Sequence, residues 1–402
     1  MEIVIIIVLA VMLVTFLVLR AGDVFSPWTI TTAVWLAIMV MYQFQSRLLD
    51  PLSDQFLYCL MIWYPILCIS SLVTYYVMPS DHGHNRSAEI PPMNRTVFTW
   101  LYVITMVITP VYVYQILKIV MMFNSADLLN NIRLLAIYGD EGYGFLQYSY
   151  VLSQVMVVVA FWQYPKIPLW QLLTIVVAAA MSAFAIMEKG MLFFLFITII
   201  FCLYEKRVIK MRSIIISAVS IIGVFFLFNI ARDSTEGSSE ESMTFLDFFG
   251  LYILSPAAAF GKVQPDLIPQ FGSHTFHSIY IFLARWGGDF VVYDKLQEFV
   301  WVPLPTNVYT VFQPFFLDFG YPGVAFFAFF YGVVSGWCYR QMRYGSGVAK
   351  CLYVYITYAL VLQFYQENFV LNLVSLLQFF FFIFIIQQRK VIVDFNPESS
   401  AA

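Results

Sequence analysis

Long apolar runs constrain the fold of this chain more than any other feature of its sequence. Eleven such runs recur along its 402 positions, ten of them with 17 or more residues, which is about the length that crosses a hydrocarbon core about 30 Å thick. Because backbone in lipid must satisfy its own hydrogen bonds, and the runs lack the alternation of barrel strands, they predict helices. The eleven runs lie at 3–19, 28–45, 56–78, 97–122, 146–163, 168–187, 190–204, 213–231, 320–340, 350–366 and 370–387.

The sequence therefore predicts an all-α, polytopic integral membrane protein that forms one membrane domain over 1–402. The least distinct boundaries are two polar breaks, at Glu188–Gly190 and at Gln366–Asn368. The first run begins at Ile3 with no basic segment before it and no small-residue cleavage site, which favours a membrane helix over a signal peptide. The five cysteines show no CxxC spacing, so they are interpreted as small core residues rather than disulfides or metal ligands.

Basic residues predict the orientation. The loop 205–212 carries Lys206, Arg207, Lys210 and Arg212, which is typical of a cytoplasmic loop. Alternation through eleven helices then places the N-terminus in the periplasm and the C-terminus in the cytoplasm of a bacterial inner membrane. On this topology 13 Lys and Arg lie in inside segments and 7 in outside segments, in agreement with the positive-inside rule.

Two outside segments, 123–145 and 233–319, are longer than ordinary connections and are candidates for function. The first has leucines and isoleucines at helical spacing, which predicts an amphipathic helix on the membrane. In the second, an apolar-aromatic stretch at 245–260 predicts an interfacial or re-entrant helix that stops near Ser255 and Pro256. A turn at 272–277 and another apolar piece ending at Trp286 complete a predicted lid of short helices.

Three outside arginines, Arg133, Arg232 and Arg285, are candidates for binding a pyrophosphate, since a guanidinium binds phosphate in bidentate fashion. The alternative is a solvated or lipid-headgroup contact. Lys189, beside Glu188, lies either in an interfacial turn or at the mouth of a polar cavity.

His274 and His277 lack a third ligand at helical spacing, so no metal site is predicted. One outside histidine is a candidate general base, because its pKa lies near the working pH; the alternative is a structural histidine. Trp286 and Tyr309 either stack on sugar rings or belong to the aromatic belt of the membrane. No Walker or Rossmann motif is present, so a nucleotide cofactor is not expected, and nothing indicates nucleic-acid binding. An outside enzyme needs a donor with its own leaving group, such as a polyprenyl pyrophosphate.

The outside motifs resemble those of the Wzy-type polymerases, which join bacterial O-antigen and capsule repeat units. The similarity is carried by Pro305–Thr310 with Asp318–Gly323, by Ile230–Ser234 around Arg232, and by Gly272–Phe276. The family's Arg-x10-Gly pattern is met by Arg133 and Gly144, a pattern of poor specificity. Where relatives often carry an arginine after the sixth helix, this chain has Lys189.

This resemblance implies a metal-independent, cofactor-free glycosyltransferase, akin in fold to the membrane-embedded GT-C glycosyltransferases. Two undecaprenyl-pyrophosphate-linked saccharides would meet under the segment 233–319, which we call the insert, and the growing chain would pass to the non-reducing sugar of a new repeat unit. Arg133, Arg232, Arg285 and Lys189 would bind the pyrophosphate. The general base would be His274, then Asp289 or Asp233. Sugar and acceptor contacts would come from Asn307, Tyr309, Thr310, Asp318 and Trp286.

Two other functions stay open. An O-antigen ligase, which transfers polymer to lipid A–core, has similar topology and arginines, although Asn307–Thr310 and Asp318–Gly323 favour the polymerase. A flippase or transporter of polyprenyl-linked oligosaccharides should line a midplane path with polar groups, whereas these apolar runs hold almost no charge. The expected partners are lipid-linked saccharides, membrane lipid and a chain-length regulator.

Overall fold

The computed structural model describes residues 1–19, 23–79, 90–122, 131–132, 148–185, 189–210, 212, 245–265, 270–288, 290, 292–293, 297–344 and 346–387. The helices within them are α1 (Glu2–Val18), α2 (Pro27–Gln45), α3 (Asp54–Val77), α4 (Arg95–Val120), α5 (Tyr148–Gln163), α6 (Leu169–Ala185), α7 (Lys189–Glu205), α8 (Phe245–Phe260), α9 (His277–Arg285), α10 (Gln313–Arg343), α11 (Gly347–Val361) and α12 (Leu373–Gln387). Two short antiparallel strands, β1 (Val300–Trp301) and β2 (Pro305–Thr306), pair Val300 with Thr306, and a 3-10 helix (Leu362–Phe364) follows α11.

The described part of the chain is an α-helical membrane protein, as predicted. Ten of the eleven predicted helices coincide with observed ones. The predicted helix 213–231 lies outside the described residues, as does the amphipathic helix of 123–145 apart from residues 131–132. Within the described residues, four helices are long and apolar enough to cross a membrane: Asp54–Val77, Arg95–Val120, Gln313–Arg343 and Gly347–Phe364. The other apolar helices there have 10–17 residues.

Local signals in the sequence explain where several helices begin. The Ser53 side chain accepts a hydrogen bond from the Phe56 N–H at the start of α3. Asn94 and Ser346 cap α4 and α11 in the same way, each satisfying N–H groups that have no partner inside the helix. In α2, Pro27 occupies the first turn, where a missing N–H costs nothing.

Contacts between helix ends show which of these ends lie at the same end of the bundle. At the end we call the insert end, Lys262 after α8 forms an ion pair of 2.9 Å with Asp50 before α3. There also, the Gln43 amide of α2 donates to Glu2 of α1 at 2.8 Å. This grouping is the one that antiparallel alternation of the helices requires; that the insert end faces the periplasm stays a prediction.

The opposite end has its own connections. The guanidinium of Arg343 donates to both carboxylate oxygens of Glu205 at 2.9 Å each, and it also pairs with Asp23. The side-chain amide of Gln387 donates to the carbonyl of Gly347 at 2.8 Å. These contacts join the ends of α7, α10 and α12 to the beginnings of α2 and α11.

Among the described helices, α3 and α10 form the most extensive contact. The two helices approach closely where α10 presents Gly332 and Gly336. A Cβ at Gly332 would overlap the hydroxyl of Ser70, and one at Gly336 would overlap the carbonyl oxygen of Ser71. In membranes, such small residues let backbones approach because lipid supplies little hydrophobic force between helices. The pair therefore depends on these two glycines.

The insert packs on the bundle mainly through α8, which contacts α2, α3, β2 and the 3-10 helix. The prediction that α8 stops near Ser255 and Pro256 is wrong, since the helix continues to Phe260. A proline inside a helix removes one main-chain hydrogen bond, and burial of Ala257, Ala258 and Phe260 against the bundle offsets that loss. The strands β1 and β2 add a small hairpin to the predicted lid of short helices.

Candidate active site at the insert end

The turn 271–276 is fixed by a carboxylate from the start of α10. The Oδ1 atom of Asp318 accepts a hydrogen bond from the His274 N–H at 3.2 Å, and its Oδ2 atom accepts one from the Thr275 N–H at 2.7 Å. The Thr275 hydroxyl, which is buried, donates to the carbonyl of Pro314 at 3.2 Å. Two segments that the sequence analysis singled out separately are thus in direct contact.

Glycine makes this turn possible. Gly272 has a φ of +66°, and a Cβ there would lie 2.5 Å from the ring of Phe276, so a larger residue is disfavoured on both grounds. The main chain closes with a 2.8 Å hydrogen bond from the Phe276 N–H to the Gly272 carbonyl. The imidazole of His274 stacks on the ring of Tyr293, with centroids 4.6 Å apart. The result is a half-buried imidazole on a turn with a defined backbone.

A kink in α10 presents Asp318 to the turn. Gly320 has φ 62° and ψ −151°, which breaks the helix between a short first piece and a long second one. The kink coincides with the predicted start of a helix at 320, whereas the short piece from Gln313 lies in what the sequence predicted to be loop. The ring of Phe319 contacts that of Phe271 in the turn, with centroids 5.1 Å apart. The kink therefore aims both Asp318 and Phe319 at the turn.

The other motif segment, 305–310, lies deeper. The Tyr309 hydroxyl donates to the carbonyl of Glu298 at 3.0 Å, and burial, together with Glu298, raises the pKa of Tyr309. Next to it, the Val311 N–H donates to the carbonyl of Gln363 at 2.9 Å. Thr310 is fully buried, and its hydroxyl has no partner among the described residues. The segment is thus anchored between the insert and the end of α11.

The residues predicted to touch sugar differ in exposure. Tyr309 and Thr310 are buried, and both carboxylate oxygens of Asp318 are engaged by the main chain. Asn307 is half-buried, whereas Trp286, just after α9, is 79% exposed. In the observed conformation, Asn307 and Trp286 are the more accessible members of the predicted set. Direct sugar contact by any of the five stays a prediction.

The structure describes only a small part of the predicted pyrophosphate site. Arg133, Arg232, Asp233 and Asp289 lie outside the described residues. Arg285 ends α9 and Lys189 begins α7, but their side chains are not among those described. Since α9 starts directly after the turn that carries His274, the backbone of Arg285 lies about 12 Å along the helix axis from its first residue. The structure thus brings together the His274 turn, Asp318 and the helix that carries Arg285.

A buried polar network beyond the sequence predictions lies between α11 and α12. We call residues Leu362–Asn372 the polar break. Gln363 in it accepts a 3.0 Å hydrogen bond from the indole N–H of Trp63, and Glu367 accepts one from the hydroxyl of Tyr331. Gln363 and Glu367 are both buried. The signal for it in the sequence is the polar interruption at Gln366–Asn368, which also makes this helix boundary indistinct.

No group of three His, Cys, Asp or Glu side chains that could hold a metal ion occurs in the described ranges. The five cysteines, all described, are buried and free. Metal independence of the chemistry stays a prediction from the sequence.

Comparison with known proteins gives one informative similarity. The chain is 31% identical over 137 residues to a protein of Escherichia coli strain K12 described as "Putative O-antigen polymerase". The matched stretch makes up 33% of this chain and 33% of the relative. No protein-family profile matches the chain, and no solved structure matches it.

Proposed function

We propose that this chain polymerises undecaprenyl-pyrophosphate-linked oligosaccharide repeat units into O-antigen or capsular polysaccharide on the periplasmic face of the inner membrane. The similarity to the E. coli protein described as "Putative O-antigen polymerase" supports the reaction class, and it covers a third of each chain. The α-helical membrane fold and the large insert agree with lipid-linked substrates that react at the membrane surface.

The observation that carries the proposal is the contact between Asp318 and the His274 turn. It joins two of the motifs that resemble those of the polymerase family in one half-buried site at the insert end. A general base must stand within hydrogen-bond reach of the proton that it removes, and the fixed backbone at His274 supports that residue as the first candidate. Asp289 and Asp233 are the second and third candidates.

The proposed reaction forms a bond from an acceptor hydroxyl oxygen to the anomeric carbon of the growing chain. The bond from that carbon to the pyrophosphate oxygen breaks, and undecaprenyl pyrophosphate leaves with the electron pair. The base takes the hydroxyl proton. Arg133, Arg232, Arg285 and Lys189 would bind the departing pyrophosphate, whose charge rises in the transition state. Asn307, Tyr309, Thr310, Asp318 and Trp286 would orient the acceptor.

Deletion of the gene, followed by electrophoresis of surface polysaccharide, tests this function. The proposal expects loss of the long ladder while single repeat units still reach the surface. Loss of every surface unit, with polymer accumulating on the lipid carrier, would indicate a ligase instead. Accumulation of single lipid-linked units inside the cell would indicate a flippase. A chain-length regulator, the proposed partner, would change the ladder distribution without being required for it.

A further inference from the structure

Hydrogen bonds fix the backbone of the polar break at the insert end. Its backbone leaves the helical path, and the freed N–H groups of Phe369, Val370 and Leu371 donate to the Glu367 carboxylate at 2.8, 2.8 and 2.6 Å. The Tyr331 hydroxyl is a fourth donor to the same carboxylate. Non-helical backbone at membrane depth is tolerated where it is buried in protein or lines a cavity. The break therefore has a fixed shape that can hold side chains in place.

One side chain held by the break is the amide of Gln366. Its Nε2 donates to the Oδ1 of buried Asn368 at 2.9 Å, and the Asn368 Nδ2 donates back to the Gln366 carbonyl at 3.1 Å. The Tyr358 hydroxyl donates to the same Oδ1 at 3.3 Å, which fixes the orientation of the Asn368 amide. Gln366 itself is half-buried, and its Oε1 has no partner among the described residues. That oxygen is placed to accept a hydrogen bond from a ligand.

A pair of tyrosines includes Tyr365, the residue that precedes Gln366 in the polar break. The hydroxyl of Tyr252 on α8 lies 3.0 Å from that of Tyr365 in the break, and the ring centroids are 6.1 Å apart. Both side chains are half-buried. Aromatic faces pack against the C–H faces of sugar rings, and phenol and amide groups match sugar hydroxyls, so this combination is suited to a saccharide.

The tyrosine pair adjoins the candidate active site. Tyr365 follows two residues after Gln363, whose carbonyl accepts the Val311 N–H that adjoins Thr310. The helix α8, which carries Tyr252, contacts β2 and the 3-10 helix. The tyrosine pair therefore lies two positions along the chain from the hydrogen bond that joins the polar break to Val311.

We propose that Tyr252, Tyr365 and Gln366 form a saccharide-binding subsite between α8 and the polar break, which takes the acceptor repeat unit. Asn368 is a positioning residue that acts through Gln366. The subsite rests on the proposed polymerase function and names a binding place for one of its two substrates. Its ligand class is a neutral sugar ring with vicinal hydroxyls, since the three side chains carry no charge.

The test compares Tyr365→Phe, Tyr252→Phe and Gln366→Ala with wild type in proteoliposomes that contain purified lipid-linked repeat units. Each change removes one polar group at the subsite. We expect the acceptor KM to rise about tenfold, the effect of one lost hydrogen bond, with kcat within about twofold. Tyr58→Phe is the matched control, because Tyr58 is a 48% exposed phenol on α3 outside the subsite, and its KM should not change. If Gln366→Ala fails to reach the membrane, Gln366→Met takes its place.

A binding measurement separates the subsite from the function. Saturation-transfer NMR is recorded on each variant with repeat-unit oligosaccharide released from the lipid carrier by mild acid. Loss of transfer in the three variants and its retention in Tyr58→Phe would support the subsite, whether or not polymer forms. Unchanged KM and unchanged transfer in active variants would overturn the subsite and leave the polymerase function standing. A wild-type protein that binds the oligosaccharide but makes no polymer would overturn the function alone.

Discussion

The carboxylate of Asp318 holds the main-chain N–H of Thr275 at 2.7 Å, although the two residues are 43 positions apart in the chain. A second bond from the same carboxylate reaches the N–H of His274. Two hydrogen bonds therefore join the start of α10 to the turn that carries the candidate base. An ionised acceptor strengthens both bonds.

Replacing Asp318 with asparagine should lower kcat by about 10- to 100-fold, because an amide has one acceptor oxygen and turns its N–H₂ toward a main-chain donor. A displacement of about 1 Å at the base is enough for such a loss. Asp50→Asn is the control, since Asp50 is an acid at the same end in a solvent-exposed ion pair with Lys262. The rate of polymer formation at saturating substrate checks this. A rate for Asp318→Asn equal to that of Asp50→Asn would contradict the positioning role.

Replacing Gly336 with alanine should destabilise the fold, because its Cβ would overlap the carbonyl oxygen of Ser71 on α3. Overpacking of this kind costs about 1–3 kcal/mol, and here backbone must move. Thermal unfolding in detergent measures the effect. Val333→Ile adds the same single carbon to a half-buried position of α10 and should unfold near the wild-type temperature. Equal melting temperatures for the two variants would show that α3 and α10 do not pack this closely.

Replacing Arg343 with methionine should cost about 3–5 kcal/mol, because the buried carboxylate of Glu205 and the carboxylate of Asp23 would lose their partner. The double variant Arg343→Met with Glu205→Gln should recover part of the loss. Chemical unfolding monitored by intrinsic fluorescence tests both. Arg95→Met, at an exposed arginine of the same end of the bundle as Arg343, is the control. Additive losses in the double variant would mean that Arg343 and Glu205 do not interact.

Replacing Tyr309 with phenylalanine separates two contributions of the phenol to stability, one from its hydrogen bond and one from its raised pKa. At pH 8 it should cost about 1 kcal/mol, the value of the hydrogen bond to the Glu298 carbonyl. Burial raises the pKa of Tyr309 in the folded state, so the folded protein keeps this proton longer than the unfolded chain. The raised pKa stabilises the folded state below pH about 10, and this stabilisation is lost as the pH rises further. The variant has no phenol to ionise, so its stability does not fall for this reason. Melting temperatures at pH 8 and pH 10.5 should therefore differ less for the variant than for wild type.

The sequence predicted most of the fold because membrane helices need long apolar runs and little else. The run 56–78 became Asp54–Val77, and 97–122 became Arg95–Val120. The prediction was wrong at Pro256, where burial against the bundle outweighs the local effect of proline. It also missed the first piece of α10, since Gln313 and Pro314 begin a helix that a kink at Gly320 separates from the apolar run.

The candidate site could be predicted in composition but not in arrangement. The residues of the turn and of α10 were named from local motifs, yet the bond between Thr275 and Asp318 joins parts of the chain that no periodicity relates. The burial of Tyr309 and Thr310 was likewise invisible, because it depends on Gln363 of a distant helix end. The polar break showed in the sequence as a weak interruption. Its network of donors to Glu367 is visible only in the structure.

The most direct test of the account is polymer formation by purified protein in liposomes that contain undecaprenyl-pyrophosphate-linked repeat units and no other protein. Wild-type protein should form chains of two or more repeats. His274→Ala should lose activity by 100-fold or more, the range of one general base, with membrane level and melting temperature retained. Polymer made by His274→Ala at the wild-type rate would remove His274 from the reaction. Wild-type protein that forms no chain from these substrates, yet transfers preformed polymer to lipid A–core, would contradict the polymerase itself.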